Sequence, residues 1–361
     1  MNVILVSDMG KLGGTEVATL VTAKVLSHEG LNVSVMGKTG PLVEQLHTHK
    51  IEFSDIDTHS KNVFKMIAFV VQFIKLLRQH NIQVVHAQMA RPVPLLWLAK
   101  ILSGSKTKIF WTSRGIHEST YKFIIPLFKF FNVKVIGNCK LEQNKIIKYG
   151  YQEKNTSYAY NAYRLVLDEK NFIKTQQETI AIGTLAALRA DRHLYLFIQA
   201  AHQLKKARPD LKLHFYLGGD GPEKANLTQL VQELDMDSNV TFLGNVFDVI
   251  GFFKQTDVFV SSTVTEGDSG AGVSNAIVEA MLTKTPVCAF DAAAIGEIVI
   301  NGRTGCLVEP RNIKAMVAAI MDTIDNKQQT QQQVDNAYSL IVKECDPENY
   351  AKKLISLYKE L

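Results

Sequence analysis

Residues 179–222 read TIAIGTLAALRADRHLYLFIQAAHQLKKARPDLKLHFYLGGDGP. An apolar, strand-like run (Thr179–Leu188) leads into a polar loop holding Arg189 and Arg192. A helix-period segment follows and stops at Pro209. A second apolar run, Leu211–Leu217, then enters the Gly-rich turn Gly218–Pro222. Strand, helix and strand in this order form a βαβ unit, which requires parallel strands. Its crossover is right-handed, so repeating the unit places helices on both faces of a sheet.

The same rhythm extends in both directions. Upstream come VILVS, GKLGG and TEVATLVTAKVLSHEG, then NVSVMG, a helix at about 40–47, KNVFKMIAFVVQFIKLLRQHN and IQVVHAQ. ARPVPLLWLAKILSG, KIFWTS, KVIGNC and LEQNKIIKYG continue the series. Residues 166–178 are polar and lack strand character, so they read as a linker. Downstream the series runs through NVTFLG, DVFVSST, AIVEAMLTK, TPVCAF and TGCLVEP. The expected fold is therefore α/β, with two doubly wound parallel-sheet domains at 1–165 and 179–344. Such domains in tandem enclose a cleft, with ligands at the carboxyl ends of the strands. Residues 345–361 form a closing helix, with Asp346 as N-cap and Pro347 first in the helix, expected to pack back toward the N-terminal domain.

The chain has 361 residues, too many for one ordinary core. Its 40 basic and 35 acidic residues leave a net charge of +5, too mild to indicate nucleic acid but compatible with a polyanionic ligand or an anionic membrane surface. The four cysteines, Cys139, Cys288, Cys306 and Cys345, form no C-x-x-C pair, so they are expected as buried free thiols and no metal site is expected. MNVILVSDMG lacks a basic n-region before a long apolar core, and no apolar run reaches about 20 residues. The expectation is a cytoplasmic protein, at the inner face of the cytoplasmic membrane if it meets a bilayer.

Candidate site residues lie where strands meet helices. Gly10–Glu16 sits between the first strand and the first helix, where glycines let backbone N–H groups approach a ligand; a tight turn and a ligand loop are both open readings. The segment is neither G-x-G-x-x-G nor a P-loop, which counts against an NAD-dependent oxidoreductase. Gly219 lies in a turn open to the same two readings. Arg189 and Arg192 are placed to fork onto a phosphate. His86 ends a strand, and Arg114, His117 and Glu118 share the loop after KIFW. Within TEGDSGAGVSNAIVEAM (Thr265–Met281), apolar spacing marks a helix starting near Val273 or Ser274. Gly270, Ala271 and Gly272 precede it and point to an anion-binding helix N-terminus. Glu279 on that helix needs partners for its carboxylate, and ribose hydroxyls would supply them.

The order of these motifs resembles retaining glycosyltransferases of family 4, which have the GT-B fold of two Rossmann-like domains. The resemblance rests on GGTE, GGDGP, NVTFLGNV, DVFVSST, GVSNAIVEAM, TPVCAFD and GEIVINGRTGCLVEP together. It implies a hexosyltransferase taking a UDP- or GDP-sugar in the C-terminal domain and an acceptor mainly in the N-terminal one, with no obligatory cofactor or metal. Carried over, Glu279 matches the ribose ligand and Gly270, Ala271, Gly272 and Val273 the loop facing diphosphate and sugar. Arg192 matches the family's diphosphate-binding Lys, and Gly13 and Gly14, with His86, fall on the acceptor and phosphate side. Three positions depart from the pattern. The family's first acid falls on Ala271, leaving Glu266 and Asp268 as candidate catalytic acids. Thr184 follows Gly183 where the family often has Arg, leaving Arg189 as its replacement. The usual His-Gly reads Arg114-Gly115, which puts Arg114 and His117 among the catalytic candidates.

The implied function is transfer of a sugar to a glycan or lipid-linked acceptor in cell-surface polysaccharide or lipopolysaccharide synthesis. A nucleotide-sugar epimerase of the same architecture and a non-catalytic nucleotide-sugar binder are the alternatives. Residues 61–80 and 121–134 mix large apolar side chains with lysines, a pattern that suits peripheral contact with an anionic bilayer or packing on the sheet with snorkelling lysines.

Overall fold

The computed structural model describes residues 1–360 apart from 11–12, 59, 61, 164–171, 176–177 and 266–271. The chain forms two compact units: Met1–Arg164 with Glu344–Leu361, and Leu165–Lys343.

The first unit is built on seven strands: β1 (Asn2–Val6), β2 (Asn32–Gly37), β3 (Glu52–Asp55), β4 (Val84–Ala87), β5 (Lys108–Ser113), β6 (Lys134–Gly137) and β7 (Thr156–Tyr158). They lie in the order β3-β2-β1-β4-β5-β6-β7, every pair parallel. Side chains alternate across the sheet. Val3 and Leu5 pack with Val33, Val35 and residues of the Gly14–His28 and Pro347–Glu360 helices. Ile4 and Val6 face the other way, toward Phe69, Phe73, Leu96 and Phe128 on three further helices. Asp346 caps the closing helix by accepting from the Asn349 N–H at 2.8 Å.

The second unit has six strands: β8 (Ile180–Leu185), β9 (Leu213–Gly218), β10 (Val240–Gly244), β11 (Val258–Ser261), β12 (Val287–Phe290) and β13 (Cys306–Val308). Their order is β10-β9-β8-β11-β12-β13, again all parallel. Ile182, Phe215, Val260 and Cys288 share one core with the Leu194–Ala207 helix.

Both sheets reverse their strand order once, between β1 and β4 and between β8 and β11. Loops leaving those strands diverge to opposite faces, opening a crevice at the carboxyl ends. Among the described residues, no helix is long and apolar enough to cross a membrane. No group of three or more His, Cys, Asp or Glu among them is placed to hold a metal ion.

Candidate active site

In the second unit, the Gly-rich turn after β9 has a structural reason. Gly219 adopts φ +136, and a Cβ there would sit 1.9 Å from the Ala186 carbonyl oxygen. The Leu188 N–H donates to Asp220 O at 3.0 Å, and Glu223 N–H to Leu188 O at 2.9 Å. The turn therefore buttresses the segment leaving β8, and that segment carries the two arginines. Arg189 donates through Nε and Nη2 to the Asp191 carboxylate, at 2.9 and 3.0 Å. Arg192 approaches the same carboxylate, Nε to Oδ2, at 3.7 Å. Nothing in the spacing of LRADRH singled out Asp191, yet it holds both guanidiniums. The Arg189 and Asp191 side chains are more than half exposed. Such a pair is worth at most about 1 kcal/mol, so another anion can displace the carboxylate at little cost. The Leu194–Ala207 helix starts at once, from His193 at φ +49.

Across the switch point, the helix expected near Val273 or Ser274 runs over Asn275–Leu282, with Ser274 at its N-cap position. Gly272 and Val273 lead into it, and Val273 is buried. Glu279 is 4% exposed, between Val278 and Ala280, both also buried. Glu266, Asp268, Gly270 and Ala271 lie outside the described residues. Ser262, just past β11, is buried, and its hydroxyl has no hydrogen-bond partner among the described residues.

In the first unit, Gly13 is the N-cap of the Gly14–His28 helix, in extended conformation. A Cβ on Gly13 would meet Glu16 Oε2 at 2.6 Å, so the glycine makes room for that carboxylate. Arg114, just past β5, donates through Nη1 to Asn161 Oδ1 at 2.8 Å and through Nη2 to Gln88 Oε1. Burial pulls the Arg114 pKa down, opposed by Tyr350 and Glu16, and a guanidinium stays charged nonetheless. Its Nε is buried without a hydrogen-bond partner among the described residues. So are Gln88 Nε2 and Asn138 Oδ1, while Asn138 donates its backbone N–H to Ser113 O at 3.0 Å. Gln88, Arg114 and Asn138 follow β4, β5 and β6, three neighbours in the sheet. Native interiors leave few polar atoms unpaired. Three at the ends of adjacent strands mark a place for a polar ligand. Arg114 thus joins Gln88 and Asn161 by hydrogen bonds and feels the charge of Glu16, while Asn138 follows the neighbouring strand. A polar side chain directly after the strand was the available signal for Gln88 and Asn138; Asn161, three residues past β7, had none.

Two expected residues are placed otherwise. His86 is fully buried, its Nδ1 2.6 Å from the Tyr358 hydroxyl and its Nε2 2.6 Å from Thr112 Oγ1. Burial, with Arg114 nearby, lowers its pKa to about 3. Both ring nitrogens are used in holding the Pro347–Glu360 helix on the sheet, which leaves neither for an acceptor or a phosphate. His117 is exposed and caps the Glu118–Phe130 helix, its Nδ1 accepting from the Ser119 N–H at 3.3 Å.

Comparison with known proteins gives this geometry a family. Residues 3–156 match the family described as Glycosyl transferase 4-like, and residues 177–326 match Glycosyl transferases group 1. The capsular polysaccharide biosynthesis glycosyltransferase CapH of Staphylococcus aureus is 23% identical over 270 residues, covering 72% of this chain and 74% of that protein. A Campylobacter jejuni enzyme, N-acetylgalactosamine-N,N'-diacetylbacillosaminyl-diphospho-undecaprenol 4-alpha-N-acetylgalactosaminyltransferase, is 23% identical over 343 residues, 90% of each chain. The crystal structure of Anabaena Alr3699/HepE in complex with UDP and glucose superposes with a TM-score of 0.83 at 19% identity, over 99% of both chains. Two parallel-sheet α/β units, the first matched by the Glycosyl transferase 4-like family and the second by Glycosyl transferases group 1, place the chain among the GT-B glycosyltransferases.

Proposed function

We propose that the protein moves a hexosyl group from a UDP- or GDP-sugar to a glycan or lipid-linked acceptor, with retention of anomeric configuration, in cell-surface polysaccharide or lipopolysaccharide synthesis. The observation that carries the donor side is the buried carboxylate of Glu279 beside the switch point of the second sheet. Ribose hydroxyls donate to it, and Arg192 and Arg189 turn from Asp191 to the diphosphate. The bond between the anomeric carbon and the diphosphate oxygen breaks, and its electrons leave with the diphosphate. Guanidiniums and backbone N–H groups aimed at that charge stabilise it as it develops, so no step calls for a metal. With retention, the acceptor oxygen bonds to the face the diphosphate vacates, and its hydroxyl proton passes to the departing diphosphate oxygen on that face. Glu266 or Asp268 serves as the catalytic acid. Gln88, Arg114 and Asn138 bind polar groups on the acceptor side, next to Gly13 and Gly14.

The test is transfer at subsaturating donor. Glu279→Ala is expected to lower kcat/KM by about 100-fold, the worth of two hydrogen bonds to a charged group. Arg192→Ala should cost about tenfold. Wild-type rates in both variants would sink the donor placement. Donor turnover without any acceptor would instead favour an epimerase.

The same reading includes contact with an anionic bilayer. Phe64, Phe123 and Phe130 are 83%, 79% and 75% exposed, on the Val63–Gln79 and Glu118–Phe130 helices, which also carry Lys65, Lys75, Lys122 and Lys129. The Val93–Ser103 helix packs beside the first and presents Ile101 and Leu102, while its Trp97 meets the Phe130 ring. Exposed aromatics among lysines suit the boundary between headgroups and acyl chains. Vesicles containing phosphatidylglycerol should pull the protein down in a salt-sensitive way, and Phe64→Ser with Phe123→Ser should weaken this. Equal recovery with and without vesicles would remove the membrane from the proposal.

A further inference from the structure

The four cysteines are buried, but they are not alike. Cys139 and Cys345 belong to the first unit, and Cys139 accepts a hydrogen bond from the Glu142 N–H. Cys288 and Cys306 face each other across the last two strands of the second sheet. They are register partners in the parallel pairing of β12 and β13. Neighbouring strands run about 4.8 Å apart, within the Cα separation that a disulfide spans. Partners in a parallel pair also project to the same face. Here both thiols reach one hydroxyl: Cys288 Sγ lies 3.4 Å and Cys306 Sγ 3.6 Å from Thr323 Oγ1. Thr323 Oγ1 also donates to the Ala319 carbonyl at 2.8 Å, which fixes the position of that hydroxyl. One point of attachment thus gathers both sulfurs. Cys288 is fully buried, whereas Cys306, on the edge strand, is 8% exposed.

We propose that Cys288 and Cys306 form a reversible thiol–disulfide modification site, with Cys306 the reacting thiol and Cys288 the resolving one. The co-reactant is a small peroxide. The Cys306 thiolate attacks one oxygen of hydrogen peroxide, the O–O bond breaks, hydroxide leaves, and Cys306 becomes a sulfenic acid. Cys288 sulfur then attacks the Cys306 sulfur, the S–O bond breaks, and water departs with the Cys288 proton. The sum is two thiols and one peroxide giving one disulfide and two waters. A dithiol reductant reverses it by exchange. The assignment of roles agrees with the electrostatics: a hydrogen bond from Cys288 brings Cys306 down to about 7, while Cys288 is held well above the ordinary thiol value. Asp322 opposes ionisation of both. The bond would tie edge strand β13 to β12 and keep it from fraying.

The full chain is treated with a small excess of hydrogen peroxide under native conditions, then denatured and alkylated. The expected product is lighter by about 2 Da before alkylation, the mass of the hydrogens lost. It takes alkylating reagent only at Cys139 and Cys345, yields a peptide joining Cys288 to Cys306, and returns to four reactive thiols with dithiothreitol. Its thermal transition should rise by several degrees and fall back on reduction. In Cys288→Ala, Cys306 should stop at a sulfenic acid that dimedone traps, a readout that buried, inert thiols would not give. Four alkylated cysteines after peroxide treatment would overturn the proposal, as would a bridge that forms only with Cys139 or Cys345.

Discussion

The two units share a sheet order around a single switch point, yet they handle charge there in opposite ways. In the first, a guanidinium is enclosed. Arg114 braces Gln88 and Asn161, and its Nε, like Gln88 Nε2 and Asn138 Oδ1, is buried without a partner among the described residues. In the second, the guanidiniums lie toward solvent on Asp191, and the buried charge is the carboxylate of Glu279. Enclosed hydrogen bonds fix a geometry in advance, because breaking one strands its partner. Exposed ion pairs exchange cheaply. One unit thus holds its polar groups in preset positions, and the other holds its arginines in an exchangeable ion pair.

Arg114→Ala should break this contrast most visibly. It leaves the Gln88 and Asn161 side-chain oxygens without their donor, at a cost of about 2 kcal/mol in urea unfolding. Arg114→Lys should recover only part of that, since an ammonium cannot bridge both as a planar fork does. An unchanged unfolding midpoint in Arg114→Ala would mean that these positions are not preset.

Acid should probe the same unit next. His86 is held near 3 in the fold and sits near 6.5 when unfolded, so between those values the unfolded chain binds the extra proton. Stability contributed by neutral His86 is therefore present above about 6.5 and falls as pH drops below it, by up to about 1.4 kcal/mol per unit. His86→Asn should flatten that slope between pH 6.5 and 5 relative to the wild-type chain. Identical slopes would show that His86 does not titrate with unfolding.

The smallest effect sharpens the other half of the comparison. Asp191→Ala removes the anion that competes for Arg189 and Arg192, so the donor should bind about two- to threefold more tightly, as a surface pair of about 0.5 kcal/mol allows. Weaker donor binding would instead give Asp191 a positive role in orienting the arginines.

Much of this was legible along the chain. The βαβ rhythm, the Gly-rich segments, the Asp346 cap and the 275–282 helix all follow from local periodicity and turn chemistry. Two edge strands were not. β3 reads Glu-Phe-Ser-Asp and β7 reads Thr-Ser-Tyr, short and half polar because one side of each meets solvent. Among site residues, Arg189, Arg192 and Glu279 stood out as charged groups in telling places. Gln88, Asn138 and Asn161 did not, because an amide after a strand is common and only burial makes it costly.

What the sequence alone determined is most of the strands and helices, and so the two parallel α/β sheets, since side-chain periodicity is local information. Only tertiary structure decided that His86 would be closed off by Tyr358, 272 residues away along the chain, that Asp191 would hold both arginines, and that Cys288 and Cys306 would share one hydroxyl. Those outcomes depend on sheet order and on where the last helix docks, and neither is written in any short stretch of residues.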